Sequence, residues 1–266
     1  MEIVRKTLEA MTLPFTISMV GEDRMELTAY MEEISPKIAL ELERLEEKFS
    51  AFRETSLVSR YQAGDQSILL DPEFQEVYAL VSVAVKETKG AFDPYYKGVY
   101  DPTGLVKGWV VERIFHQLLK PYLANPAIEA VSLNGGGDMQ FATKPTSQFT
   151  WKVGIENPHD LQALIAKLSI KTGAIATSGY SKRGSHIVGK SPIEQLTIID
   201  IGLTRADVWA TAGLAMDLPT FHQAIADNRL SGLYVLDGKV IHFQHGEMKN
   251  DKKKGNYIPV YTNHKI

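Results

Sequence analysis

The 266-residue sequence contains no cysteine. This absence excludes a disulfide framework, a cysteine nucleophile, thiolate-bound zinc and iron–sulfur clusters. Any bound metal must therefore take oxygen or imidazole ligands, which favours a hard cation such as Mg²⁺. The formal net charge of -3 provides no general attraction to nucleic acid, so we expect no nucleic-acid partner.

The sequence also lacks long apolar stretches and linkers. No segment reaches the roughly 18 apolar residues of a membrane span. The first residues carry Glu2 and Glu9 and lack the apolar core of a signal peptide, so we expect a cytoplasmic protein with no membrane span. Because no Pro/Gly/Ser-rich linker, charge block or repeat divides the chain, we predict a single domain over residues 1–246 and a polar tail over residues 247–266.

Two segments have helical signals. Apolar residues at helical spacing follow Ser35 and Pro36, which predicts a helix that begins at Pro36 with Ser35 as its N-cap. Asp71 and Pro72 predict the start of a second helix, and Gly90 its end.

Five short segments rich in Val, Ile, Leu or Thr are bounded by glycine, asparagine or aspartate, which predicts strands. They are residues 130–133, 150–155, 174–177, 196–201 and 233–236. The last two are expected to meet at Asp237-Gly238, a hairpin signal. Because helix and strand signals alternate irregularly, we predict an α+β fold with a mostly antiparallel sheet and packed helices.

Residues 101–109 (DPTGLVKGW) run from a turn into a predicted helix. Amides at a helix start, together with Lys107, can face an anion. The spacing does not match a Walker A loop. The alternative is a turn followed by a surface lysine.

Two glycine-containing segments carry polar side chains. Residues 134–138 (NGGGD) follow a predicted strand, and their glycines suit either close approach to a ligand or a plain hairpin loop. Residues 177–179 (TSG) end a strand with two hydroxyls that can donate to phosphate oxygens. His186 follows in a loop rich in Gly, Ser, Lys and Arg, where it can meet a polar substrate or simply be solvated.

Residues 204–211 (TRADVWAT) have the pattern of a helix start. If Thr204 is the N-cap, Asp207 lies in the first turn and Thr211 stands one turn further on the same face. A carboxylate and a hydroxyl so placed can share one hard cation. The alternative is that Asp207 completes a capping interaction and Thr211 bonds back to a carbonyl.

Taken in order, these segments resemble the FAD:protein FMN transferases, the ApbE flavin transferase family, from about residue 11 to residue 246. Seven short blocks carry the resemblance: FSAFRETSLVSR (49–60), GAFDP (90–94), DPTGLVKG (101–108), LNGGGD (133–138), WKVGI followed by Pro158 (151–158), AIATSG (174–179) and ADVWAT (206–211). The resemblance implies an α+β fold related to the T-fold, in a short form without signal peptide or lipobox.

The resemblance also implies an activity, namely Mg²⁺-dependent transfer of FMN from FAD to a Thr or Ser hydroxyl of an acceptor protein, with release of AMP. Implied metal ligands are Asp207, Thr211 and the backbone carbonyl of Val106. Implied catalytic residues are Asp207 and His186, the latter as the group that takes the hydroxyl proton. Implied FAD-binding residues are Lys107, Gly108, Glu112, Asn134, Gly136, Gly137, Asp138, Thr177, Ser178 and Gly179.

Two other activities stay open at this stage. An FAD pyrophosphatase would use water as the acceptor and release FMN and AMP. A non-catalytic FAD-binding protein is the second alternative, because residues 11–14 (MTLP) stand where the family has M-G-T and Gly189-Lys190 stand where it has Asp-Pro.

Overall fold

A computed structural model describes residues 1–179 and 191–249 and the backbone of residues 260–261. The helices are α1 (Arg24–Phe49), α2 (Leu57–Gln62), α3 (Pro72–Glu87), α4 (Thr103–Ile114), α5 (Leu203–Ala215) and α6 (Leu218–Asp227). Short 3-10 turns cover Gln66–Leu70 and Lys120–Ala124, and a π-helical turn covers Phe115–Leu119. None of the described helices is long and apolar enough to cross a bilayer.

The strands are β1 (Glu2–Ala10), β2 (Leu13–Gly21), β3 (Ile128–Gly135), β4 (Asp138–Thr143), β5 (Trp151–Asn157), β6 (Asp160–Ile170), β7 (Gly173–Gly179), β8 (Gln195–Asp200), β9 (Ser231–Leu236), β10 (Lys239–Gln244), β11 (Glu247–Lys249) and β12 (Val260–Tyr261). Nine strands form one sheet in the order β1-β2-β3-β4-β7-β8-β9-β10-β11, and every neighbouring pair is antiparallel. A smaller sheet has the order β12-β6-β5. The predicted α+β fold with a mostly antiparallel sheet is therefore confirmed.

Each face of the large sheet is covered by a different layer. On one face α1, α4 and α5 bury a large apolar core, to which β2, β3, β7 and β8 contribute side chains. On the other face β5 and β6 cover a smaller core, formed by Val20, Ala130, Phe141, Trp151, Ile155, Leu168, Ile170, Ile175, Ile199 and Leu233. Adjacent strand residues point to opposite faces, so β3 gives Ala130 to the small core and Val131 to the large one.

Helix α1 begins earlier than the sequence predicts. Asp23 is its N-cap, with a carboxylate that accepts the Met25 amide at 2.7 Å, and the helix continues through Pro36. The Ser35 hydroxyl does not cap this helix but donates to the Met31 carbonyl one turn back. The prediction of a start at Pro36 was wrong because the apolar stripe extends upstream through Leu27, and its burial outweighs the hydrogen bond that proline cannot make.

Two other local predictions had different outcomes. Asp71 caps α3 as expected, accepting the amides of residues 73 and 74, and Gly90 follows that helix with a φ of 87°. The Asp237-Gly238 turn joins β9 to β10, not to the preceding predicted strand. That part of the prediction was wrong because α5 and α6 lie between β8 and β9, which nevertheless pair in the sheet.

The domain boundary after residue 246 remains a prediction. Strand β11 extends the large sheet three residues beyond it, where Glu247 pairs with Gln244.

Candidate functional site

The start of α4 is occupied by a carboxylate of the chain itself. Asp101 is buried, and its Oδ1 accepts the Thr103 amide at 3.1 Å. Burial alone would raise the pKa of Asp101, but hydrogen bonds from Thr103 and the ion pair with Lys97 lower it below its usual value. Asp101 therefore satisfies the Thr103 amide, one of the first amides of α4, and the expectation that this helix start faces an anion remains a prediction.

The glycine loop is a two-residue hairpin turn between β3 and β4. Gly136 and Gly137 have φ values of 62° and 105°, and the Asn134 side chain accepts the Gly137 amide at 2.8 Å. The plain hairpin alternative therefore describes the backbone here, because both turn positions require positive φ. The turn also positions Asp138, the first residue of β4.

Asp138 joins three segments that are distant in sequence. Its buried carboxylate accepts the Thr177 amide of β7 at 2.9 Å through Oδ1. The other oxygen, Oδ2, accepts a hydrogen bond from Lys107 of α4. The NGGGD, TSG and KG segments therefore meet at the Asp138 carboxylate.

The second carboxylate of the cluster is Asp207, on α5. Asp207 is 1 % exposed, and its Oδ2 lies 3.6 Å from Lys107 Nζ. One turn further along the same face, the Thr211 hydroxyl lies 3.3 Å from the Ser178 hydroxyl of β7. Asp207 and Thr211 therefore lie on one face of α5, and that face contacts Lys107 and the TSG strand β7.

Helix α5 starts one turn before Asp207, but Thr204 is not its N-cap. The N-cap is Gly202, which has no side chain to accept a hydrogen bond. Glu112 of α4 supplies the acceptor instead, taking the Thr204 amide at 2.7 Å and the Thr204 hydroxyl at 2.5 Å. The predicted N-cap was wrong by two residues because the capping group comes from another helix.

Gly108 allows α4 and α5 to approach each other closely. A Cβ at this position would lie 3.0 Å from Asp207 Cβ, 3.2 Å from Asp207 Oδ2 and 3.1 Å from the Leu203 carbonyl oxygen. The nearby Val106 is buried in the large core. In a regular α-helix its carbonyl accepts one backbone amide and keeps a second lone pair open.

Two further groups, around Thr197 and Tyr100, are not apparent from the sequence. Thr197 of β8 shares a hydrogen bond of 2.9 Å with the Thr177 hydroxyl, so it helps to orient that side chain. Tyr100 precedes α4 and packs against four aromatic rings with centroids 5.3–6.1 Å away, those of Tyr61, Phe74, Tyr78 and Tyr95. Burial raises the pKa of the Tyr100 phenol. No local spacing reveals either group, because the members are scattered along the chain.

The cluster has the chemistry of a phosphate and hard-cation site. Two buried carboxylates, one lysine, the Thr177 amide and the hydroxyls of Ser178 and Thr211 meet where α4 and α5 pack over β4 and β7. The Thr177 hydroxyl bonds to Thr197 on the opposite face of the sheet. In the part of the chain that the structure describes, no group of three or more His, Cys, Asp and Glu side chains is placed to hold a metal. His186, the predicted proton acceptor, lies outside the described residues.

Fold and site together define an α+β protein with an oxygen-rich, lysine-containing cluster beside the central strands. A sequence profile of the ApbE family matches residues 11–101 and 98–234. The chain therefore belongs to the ApbE family.

Solved structures share the fold at low sequence identity. The flavin transferase ApbE from Vibrio cholerae matches with a TM-score of 0.73 and 17% identity, over 92% of this chain and 97% of that one. The ApbE protein from Thermotoga maritima matches with a TM-score of 0.75 and 19% identity, over 90% and 96% of the two chains. The apo flavinyl transferase ApbE from Pseudomonas stutzeri matches with a TM-score of 0.70 and 17% identity, over 91% and 94%. A search of curated proteins finds no significant match.

Proposed function

We propose that this protein transfers FMN from FAD to a Thr or Ser hydroxyl of an acceptor protein, with Mg²⁺ as cofactor and AMP as the second product. The observation that carries the proposal is the convergence of Lys107, Asp138, Asp207 and the hydroxyls of residues 178 and 211 in one cluster. Family membership and the two structural relatives named as flavin transferases support it.

The proposed reaction is a substitution at phosphorus. The acceptor hydroxyl oxygen attacks the FAD phosphorus that bears riboflavin, and a new P–O ester bond forms. The P–O bond to the adenylate phosphate breaks, so AMP leaves with that electron pair. The hydroxyl proton passes to a base, for which His186 remains the candidate.

The chain's own residues would bind and orient the phosphates. Lys107 places a positive charge beside both carboxylates, and can also reach a phosphate oxygen. The hydroxyl of Ser178 can donate to the same oxygens, while Asp138 holds the Thr177 amide in place. Asn134, Gly136, Gly137 and Gly179 complete the proposed FAD-binding set as backbone and turn residues of these segments.

The site residues fit a hard cation. Asp207 and Thr211 offer a buried carboxylate and a hydroxyl on one helix face, and Val106 offers a carbonyl on the facing helix. We propose these three residues as the Mg²⁺ ligands. When bound, the cation would neutralise charge on the two phosphates and make AMP a better leaving group.

The decisive test mixes the protein with FAD, Mg²⁺ and a flavin-acceptor domain. We expect a fluorescent acceptor band on a denaturing gel, together with AMP in an amount equal to the FMN transferred. Chelation with EDTA should abolish the band, and Mg²⁺ should restore it. Free FMN and AMP without a labelled band would overturn transfer in favour of hydrolysis, and FAD that stays bound and unchanged would show a binding protein.

A carboxylate variant tests the site assignment in the same assay. Asp207→Asn should lower the transfer rate by at least about 100-fold, because the neutral amide is a poor ligand for Mg²⁺. The matched control is Asp160→Asn at the exposed start of β6, which should transfer at the wild-type rate. Equal rates for the two variants would contradict the assignment of Asp207.

A further inference from the structure

Helices α4 and α5 carry the two halves of the proposed metal site, and they touch at Gly108. The absence of a Cβ there lets the α4 backbone lie against Asp207 and the Leu203 carbonyl. A small change in the rotation of α5 would therefore move the Asp207 carboxylate relative to Lys107, which is 3.6 Å away. A second contact between α4 and α5 is therefore needed to hold the Asp207 carboxylate in place.

Glu112 provides this second contact, one turn beyond Gly108 on α4. Its Oε2 accepts both the amide and the hydroxyl of Thr204, three residues before Asp207. The first amides of a helix have no partner within the helix, and a negative charge is favourable there. Glu112 thus supplies from α4 the cap that α5 lacks in its own sequence.

The absence of a side chain at Gly202 leaves room for the Glu112 carboxylate. A Cβ on Gly202 would lie 2.6 Å from Glu112 Oε1, so an ordinary capping side chain at the N-cap would displace the glutamate. The local cap and the cap from α4 are therefore mutually exclusive. The chain uses the one that ties α5 to the helix carrying Lys107.

The position of Glu112 also separates it from the phosphate cluster. It lies five residues after Lys107, which is roughly 140° around the helix. It lines a groove of about 470 Å³ between α3, α4 and the start of α5, together with Trp109 and Val208. Lys107, in contrast, contacts Asp138 and Asp207.

We infer that Glu112 is a positioning residue that sets the metal-binding geometry of Asp207, and that it does not contact FAD. This inference rests on the proposed function, and it replaces the expectation that Glu112 binds the cofactor. A groove residue that fixes the start of α5 would change metal affinity without touching the nucleotide.

The test compares Glu112→Ala with the double variant Glu112→Ala/Gly202→Ser. FAD binding is followed by flavin fluorescence, in EDTA and during a Mg²⁺ titration. We expect Glu112→Ala to raise the Mg²⁺ concentration for half-maximal binding on the order of 10-fold, while FAD binding in EDTA stays unchanged.

In the double variant, the introduced serine hydroxyl would supply a local cap in the space that the glutamate leaves. The double variant should therefore recover most of the Mg²⁺ response. Glu76→Gln, on the rim of the same groove, is the matched carboxylate control and should behave as wild type.

Two results would overturn the inference. One is weaker FAD binding by Glu112→Ala in EDTA without rescue by Gly202→Ser, which would indicate direct contact. The other is an unchanged Mg²⁺ response.

Hydrogen exchange separates this inference from the proposed function. Exchange in peptides covering residues 203–211 should accelerate in Glu112→Ala and return toward wild type in the double variant, with no ligand present. If the wild-type protein shows no Mg²⁺-dependent FAD binding, the proposed function fails, and unchanged exchange in Glu112→Ala would then reject the positioning role as well.

Discussion

Gly108 is a residue at which the two site helices lie in close contact, so its substitution should disturb their packing directly. In Gly108→Ala the new methyl group would meet Asp207 Cβ at 3.0 Å and the Leu203 carbonyl oxygen at 3.1 Å. Overpacking of this kind typically costs about 1–3 kcal/mol, which the higher helix propensity of alanine, about 1 kcal/mol, offsets only in part. We expect a net loss of up to about 2 kcal/mol in the free energy of unfolding, measured by urea denaturation.

Gly104, in the same helix, is the matched control for that experiment. A Cβ there meets only the ring of Phe92, at 3.2 Å. Gly104→Ala should therefore leave stability within about 0.5 kcal/mol of wild type or raise it. If the two variants are equally stable, the close crossing at Gly108 does not limit the packing of α4 on α5.

Single residues also show what the sequence could and could not reveal about the site. Asp207 and Thr211 were predictable as a pair because their spacing of four residues places them on one helix face. The contacts of Lys107 with Asp138, and of Glu112 with Thr204, join residues 31 and 92 positions apart. Such contacts depend on how α4 packs against β4 and α5, and no local pattern encodes that packing.

At the scale of helices, Glu73 at the start of α3 ties α3 to α1 and α4. Its carboxylate accepts hydrogen bonds from Arg44, Lys48 and Arg113, and its side chain is 16% exposed. The hydrogen bonds and charges of Arg44 and Lys48 outweigh burial and lower the pKa of Glu73 to about 2. A carboxylate with a lowered pKa stabilises the fold above its unfolded-state pKa of about 4.5, and this stabilisation is lost as the pH falls toward 2.

Glu73→Gln should therefore have a pH-dependent effect. At pH 7 we expect a loss of up to about 3 kcal/mol in the free energy of unfolding, and the difference from wild type should shrink between about pH 4.5 and pH 2. Urea denaturation at several pH values measures it. Glu41→Gln removes only the partner of Arg44 within α1 and should cost under about 1 kcal/mol. A Glu73→Gln effect that is constant with pH would show that charge is not its cause.

Some elements could not be predicted from the sequence, and there are physical reasons for this. In strand β1 (EIVRKTLEA) apolar and polar residues do not alternate regularly, so the sequence pattern that predicts a strand is missing. The turn that joins β1 to β2 has Met11 and Thr12 at positive φ, where Asn-Gly is the usual signal. The five predicted strands, in contrast, are mostly buried and bounded by turn residues, and each lies within or overlaps an observed strand.

At the scale of the whole molecule, one sheet separates two cores, and this arrangement predicts that both unfold together. Alternate residues of β3 enter the two cores, so neither core can persist once that strand leaves the sheet.

Trp151 lies in the small core, whereas Trp109 and Trp209 lie in the large one. In a variant carrying Trp109→Phe and Trp209→Phe, fluorescence reports only the small core, and far-UV circular dichroism reports the whole fold. In this background Leu168→Ala and Leu133→Ala each remove a buried side chain from a different core, and each should cost about 2–5 kcal/mol. We expect both variants to shift the fluorescence and dichroism transitions to the same lower urea concentration. If Leu168→Ala moved the fluorescence transition alone, the layer formed by β5 and β6 would be an independent folding unit.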